Sequence, residues 1–430
     1  MSAFLKASAS RSVRAVINGV AMVGVSALLL TGCSTGTPAD TTDKLAASGG
    51  ANPIEVGDRD LTLKIGTILP QSGAQAYLGP PEKAGVALAV KDVNATGLGI
   101  TVEAVYRDSG DTQPDTATAS VTDLLAQDVS AIVDAASSGV STAVIDQITA
   151  AGVVQFSPVN TSAVFTNYDD KGLYWRTAPS DVRQGEVLGN QIAADGVRSL
   201  GLIVLNDPYG TSLAEYTTAA FEAAGGAVVA TSLFNEGDSD FAAQIAEVTA
   251  ANPDAIALIT FEQAKVIVPA LVGFGYPGDR LYFVDGSLAD FSADFPSGLI
   301  TGSKGTRPGL DVGTLGDFTD RLLEVDPTLT DYSFAAESYD AVMLIALAAY
   351  AANDVSGRSI AGYLRQVSGG TGDGEKVTGF ASAAEALTNG EQIDYDGFSG
   401  PITFDENGDP TQATIGIYEF GADNKYIRIN

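Results

Sequence analysis

From Leu61 onward, short runs of β-branched and apolar residues alternate with stretches whose apolar positions recur at helical spacing. LTLKIGTIL precedes a helix expected near Glu82 to Asn94; ITVEAVYRD and a helix begun by Pro114 follow; then come SAIVDA, a helix from Ser141, and VVQFSP. Near-continuous apolar runs of this length read as strands buried on both faces, and their alternation with helices predicts βαβ units around a mostly parallel sheet. After the extended YWRTAP a second series begins: SLGLIVLND, a helix from Gly210, AVVATSLF, a helix from Asp240, AIALIT, a helix from Glu262, and LYFVDG. Two such series predict two α/β lobes. A long alanine-rich helix around Ser338 to Ala352 and two late strand candidates, PITFD and TIGIYEF, must return to complete the sheets.

In open α/β sheets, ligands bind beyond the carboxyl ends of the strands, where loops and helix N-termini converge. The loops to inspect are therefore Pro70 to Gly79, Ala135 to Ser141, Ser157 to Ser162, Asn206 to Gly210, Thr260 to Gln263 and Asp285 to Ser287.

The start of the chain has a different texture. Basic Lys6, Arg11 and Arg14 precede an apolar stretch from Ala15 to Leu30, the layout of a secretory signal. That stretch ends in Leu30-Thr31-Gly32-Cys33, which resembles the lipobox of bacterial lipoproteins. By that resemblance residues 1–32 are removed and Cys33 carries a diacylglyceryl group. Buried methylenes contribute about 0.8 kcal/mol each, so two or more acyl chains hold a protein at a membrane without a spanning helix. Residues 33–60 are rich in Ser, Thr, Gly, Ala and Pro and read as a flexible tether.

Composition narrows the function classes. A chain of 430 residues exceeds one compact core, which agrees with two lobes. Its 53 acidic residues against 23 basic give a net charge of −30, a field that repels nucleic-acid backbones, so no nucleic-acid partner is expected. With no histidine, a Ser-His-Asp triad, a Cys-His pair and imidazole-bound metals are excluded. Cys33 is the sole cysteine, so no disulfide forms within the chain. Neither metal nor cofactor is expected. Gly273-Phe274-Gly275-Tyr276-Pro277-Gly278 fits a dinucleotide glycine pattern, yet it follows a helix and precedes a strand, the reverse of the required order. Asp405, Asn407 and Asp409 begin like a calcium loop, but Pro410 replaces the needed glycine and Gly416 the last acidic ligand, which leaves a surface turn.

Seven segments in order carry a family resemblance: KIGTILPQSGAQAYLG, ASSGVST, FSPVNTS, YWRTAPSDVRQG, NDPYG, GDSDFAAQIAEV and SYDAV. The chain resembles the branched-chain amino acid binding proteins, type I periplasmic binding proteins of ABC transporters, over nearly its whole length from Leu61. The resemblance implies two doubly wound parallel-sheet lobes joined by a three-strand hinge, with the first lobe at residues 61–178 and 308–405 and the second at 179–307 and 406–430. Crossings are expected near Thr177 to Asp181, Ser303 to Pro308 and Asp405 to Gln412. It implies a non-enzymatic monomer outside the cytoplasm that delivers a small solute, an amino acid or else an amide or urea, to a permease and its ATPase. A sensing role for a signalling partner is the alternative.

By the same resemblance Ser138 binds the ligand carboxylate, Thr161 binds carboxylate and ammonium, and Asp285 takes the ammonium where other members carry glutamate. Tyr209 covers the ligand from the second lobe, Tyr77 and Leu78 shape the side-chain pocket, and either Phe261 or Glu262 adds a further cover. Asn160 stands where the family has alanine and is expected to place extra polarity beside the ligand.

Overall fold

The computed structural model describes residues 51–110, 115–311, 315–372 and 374–430. The expected signal, the lipidated Cys33 and Pro114 lie outside these residues. The first sheet contains β1 (Leu61–Leu69), β2 (Ile100–Asp108), β3 (Ala131–Val133), β4 (Val154–Ser157) and β5 (Tyr174–Arg176), in the order β2-β1-β3-β4-β5 with every pair parallel. Helices α1 (Gly79–Thr96), α2 (Asp115–Leu125) and α3 (Ser138–Ala150) connect them. Leu63 and Ile65 of β1 pack into the core that holds Val86 of α1, whereas Ile68 joins Val121 and Leu124 of α2 and Val144 of α3 on the other face. Burial on both faces is why β1 reads as a continuous apolar run.

The chain then enters a second core through α4 (Asp181–Ala194). There it forms β6 (Ser199–Leu205), α5 (Pro208–Ala223), β7 (Ala227–Phe234), α6 (Ala242–Ala250), β8 (Ala255–Ile259), α7 (Ala264–Gly273), β9 (Leu281–Val284) and β10 (Lys304–Pro308). It returns to the first core as α8 (Asp317–Val325), α9 (Ala335–Ala352), α10 (Gly357–Val367) and α11 (Phe380–Thr388). Strands β11 (Glu375–Val377), β12 (Ile393–Gly397) and β13 (Gly400–Pro401) make a small third sheet on that side. Finally β14 (Ile415–Phe420) and β15 (Tyr426–Arg428) complete the second sheet, whose order is β15-β14-β10-β9-β8-β6-β7. Strand β14 runs antiparallel to β10, and β15 antiparallel to β14. The chain therefore passes between the two sheets three times: after β5, after β10 and after β13.

Helix α9 is long and apolar enough to cross a membrane, yet 94% of it is buried as the central helix of the first core. Its one interior acid, Asp340, accepts hydrogen bonds from Tyr395, from the Phe398 and Ser399 backbone and from the Ser399 hydroxyl, which docks the third sheet on the helix.

Several boundaries differ from the sequence reading. Helix α3 begins at Ser138 rather than Ser141, because Ser137 caps it through a bond from the Val140 N–H. PITFD contributes only Pro401 to a strand; Phe404 beyond it makes a single bridge to Pro410. The second crossing, expected near Ser303 to Pro308, follows directly on β10, since Lys304–Pro308 is a full strand of the second sheet. The expected tether also ends early. Asn52 exchanges hydrogen bonds with Gln366 and donates to the Gly362 carbonyl, and the buried Arg59 binds the Tyr350 carbonyl and lies over its ring at 4.8 Å.

Candidate functional site

Each large sheet has one point where consecutive strands diverge to opposite sides. In the first sheet it lies between β1 and β3, in the second between β6 and β8. Loops after these strands cannot close over the sheet top and leave a crevice. The two crevices face each other across one small cavity lined by Gln75, Leu78, Ala136, Ser138, Val159, Thr161 and Phe334 from the first lobe and by Tyr209, Phe261, Asp285 and Gly286 from the second. Its volume is only about 10 Å³ in this closed arrangement, so the lobes must part to admit a solute.

Local sequence explains the placement. A Cβ at Gly79 would overlap the Pro70 carbonyl, so only glycine lets the loop carrying Gln75 and Leu78 fold back onto the start of α1. Ser138 is the first residue of α3, and since Ser137 performs the capping, Ser138 is not needed for it. A helix start of this kind offers unpaired N–H groups and a positive dipole end to an anion. Thr161 is likewise not a cap: Ser162 accepts from Val164, and Thr161 uses its carbonyl to accept from the Asp181 N–H at 2.6 Å.

The opposite wall is acidic and aromatic. Tyr209 stacks on Phe261 with ring centres 5.3 Å apart and planes 10° from parallel. Its hydroxyl donates to Asp285 Oδ1 at 2.7 Å, and Gln184 Nε2 donates to the same oxygen at 2.8 Å. Burial pushes the Asp285 carboxyl above its ordinary value, and these hydrogen bonds offset the shift only in part. Asp181 is fully buried beside it, near Thr161 and Ser212, and burial with the repulsion of Asp285 raises it to about 8. Neither carboxylate has an ion-pair partner among the described residues. A cation placed between them would remove that penalty.

Of the residues singled out from sequence, Ser138, Thr161, Leu78, Tyr209, Phe261 and Asp285 converge on the cavity. Glu262 does not: it is exposed and pairs with Lys265, one turn along. Asn160 does not either. Its amide donates to the Ala135 and Ala136 carbonyls and accepts from Tyr174, so its polarity is spent inside the first lobe and Val159 faces the cavity instead. Tyr77 stands at the edge and bridges the lobes, its hydroxyl donating to the Gly286 carbonyl at 3.1 Å. Two more bonds cross nearby, Ser162 to the Pro208 carbonyl and the Ala163 N–H to Ser212. The cleft is thus closed. Sequence reasoning did not single out Gln75, Ala136, Val159 and Gly286, although all four fall in the loops it marked, and it missed Asp181 and Phe334; Phe334 has a positive φ of 58°, unusual for a bulky residue, at the entry to α9.

Residues 62–425 match the family model described as periplasmic binding protein. The chain belongs to the periplasmic binding protein family. That membership agrees with the resemblance carried by the seven segments and implies an extracytoplasmic, substrate-binding role. The chain is 28% identical over 353 residues to the chemotactic signal transduction system substrate-binding protein BasB of Halobacterium salinarum, covering 79% of this chain and 82% of that protein. It is also 28% identical over 376 residues to the leucine-, isoleucine-, valine-, threonine-, and alanine-binding protein of Pseudomonas aeruginosa, with 84% and 91% covered. Among solved structures, a leucine binding protein from Thermotoga maritima superposes with a TM-score of 0.71 over 86% of this chain and 98% of that one at 20% identity, a likeness of fold.

Proposed function

We propose that the protein is the lipid-anchored solute receptor of an ABC importer and that its solute is a zwitterionic α-amino acid with a small or medium apolar side chain. One observation carries the reading: a single cavity sets hydroxyls and a helix start from one lobe opposite a buried acid from the other, with Leu78, Val159, Phe261 and Phe334 as apolar walls. Ser138, Thr161 and the first N–H groups of α3 hold the carboxylate. Asp285 holds the ammonium, with Asp181 behind it. Tyr209 fixes the Asp285 carboxylate and closes the second lobe over the ligand. Capture ends in delivery to the permease and ATPase. Residues 61–178 with 308–405 and residues 179–307 with 406–430 rotate as the two lobes, and Cys33 carries the lipid.

Titration calorimetry against the common amino acids tests this. Asp285→Asn keeps shape and removes the charge, so the best ligand should bind roughly ten- to a hundredfold more weakly, the range expected when a charged hydrogen bond of about 1.5–3 kcal/mol is lost. Unchanged affinity would remove the ammonium assignment.

The similarity to a chemotactic substrate-binding protein favours a second reading, in which the closed form is read by a signalling partner. A deletion strain that retains uptake of the ligand but loses a behavioural response to it would decide for sensing; loss of uptake decides for transport.

A further inference from the structure

A second cavity lies against β10, β14 and β15 and shares no lining residue with the first. It has a volume of about 420 Å³ and is lined by Arg307, Asp311, Thr330, Asp331, Tyr332, Ser333, Tyr418, Tyr426, Ile427 and Arg428. Arg307 is only 8% exposed, and no carboxylate lies within 4.0 Å of its guanidinium among the described residues. Asp331 and Glu337 act on this charge through space, but neither touches it, so a buried guanidinium without a contacting carboxylate calls for explanation.

Those surroundings hold the guanidinium in one orientation. Its carbon sits 5.0 Å from the Tyr418 ring centre and 5.4 Å from that of Tyr426, and Nη1 donates to Ser333 Oγ at 2.9 Å and to the Tyr426 hydroxyl at 3.0 Å. Nη2 makes a long bond of 3.5 Å to the Tyr418 hydroxyl. Neutral hydroxyls thus occupy one side, while Nε has no acceptor among the described residues. The Nε and Nη2 hydrogens are the edge that grips a carboxylate with two parallel bonds. Arg428 adds a second positive charge, its Nη1 held on the Gly309 carbonyl.

We propose that this cavity is a second ligand site, for a small monocarboxylate with a planar or apolar body, bound by Arg307 and Arg428 among Tyr332, Tyr418 and Tyr426. Asp311 and Asp331 line the same space and weaken its attraction for any anion, more for a phosphate dianion than for a monocarboxylate. Tyr332 and Ser333 precede α9 in the first lobe, whereas Arg307, Tyr418 and Tyr426 belong to the second sheet. A carboxylate here therefore touches both sides of the second chain crossing. Ser333 is also the neighbour of Phe334, which lines the amino-acid cavity.

The test uses sodium benzoate as probe on the complete mature chain, by ligand-observed NMR and calorimetry. Benzoate should bind Ser138→Ala as it binds the parent, and bind Arg307→Gln at least about tenfold more weakly, as loss of a charged two-point contact requires. Arg428→Gln, a change on the accessible wall, should weaken it several-fold and decides the matter if Arg307→Gln fails to fold. Equimolar inorganic phosphate should leave benzoate bound. Benzoate binding that is abolished by Ser138→Ala and untouched by both arginine variants, absence of binding at millimolar benzoate, or displacement by phosphate would each overturn the proposal. Loss of amino-acid binding in Asp285→Asn, by contrast, bears only on the first site.

Discussion

Replacing Asp409 by alanine should cost the protein about 3–5 kcal/mol, because it strands a buried guanidinium. Arg176 on β5 is fully buried, and its Nε and Nη2 meet the two Asp409 oxygens at 2.6 and 2.9 Å. Thr166 donates to the same carboxylate at 2.6 Å. The other guanidinium nitrogen, Nη1, holds the Asn160 and Ser162 carbonyls, at 3.3 and 2.8 Å, on either side of Thr161. The pair thus fastens the third crossing to the first sheet and also tensions the loop that presents Thr161. At about 2 °C per kcal/mol for a chain of this length, the melting temperature should fall by roughly 6–10 °C. Amino-acid affinity should fall with it. Replacing both partners, as Arg176→Met with Asp409→Leu, should recover much of the stability, since an apolar pair needs no desolvation, but not the affinity. Differential scanning calorimetry and titration calorimetry on the three proteins are the assay. A loss below about 1 kcal/mol in Asp409→Ala, or full affinity in the double variant, would refute this reasoning.

Tyr209→Phe keeps the stack on Phe261 but removes the hydroxyl on Asp285; affinity should drop about tenfold with little change in melting temperature, measured by calorimetry. Unliganded stability should fall as pH rises from about 4 to 8: folded Asp181, raised to about 8, binds its proton more tightly than the unfolded chain does, so the stabilisation is present at low pH and lost on the way up. Asp134, Asp340 and Glu337 are raised as well and act in the same direction. Thermal melts across that range should slope downward, and Asp181→Asn should flatten the slope. Intact-mass measurement of membrane-extracted protein should show residues 1–32 absent and a lipid on Cys33; an unmodified thiol would contradict it. Small-angle scattering should show a smaller radius of gyration with saturating amino acid, since Tyr209 and Asp285 reach the ligand only when the lobes close.

The parallel sheets were legible because doubly buried strands such as LTLKIGTIL and AIALIT are continuous apolar runs, and the divergence points then select the loops that matter. Within those loops Ser138, Thr161, Tyr209 and Asp285 were named only through the family resemblance, which left Phe261 and Glu262 as alternatives. Val159 and Phe334 could not be named, since an apolar wall residue looks like any core residue in sequence, and Phe334 arrives from far along the chain just before α9. Asn160 and Asp409 were misread for the opposite reason. Both are polar residues whose partners, the Ala135 and Ala136 carbonyls and Arg176, are set by tertiary contacts that no local pattern records. Residues 52–59 misled similarly: a composition typical of a tether binds α9 and α10 through a few backbone and arginine contacts.

The central claim is recognition of both charges of an α-amino acid, one by each lobe, and analogues test it without altering the protein. Calorimetry would compare the best-binding amino acid with the amine lacking its carboxylate and the acid lacking its ammonium. Each analogue leaves one buried wall unpaired, a loss of about 2–5 kcal/mol, so each should bind at least thirtyfold more weakly. An amine or acid that binds as tightly as the parent amino acid would contradict the account.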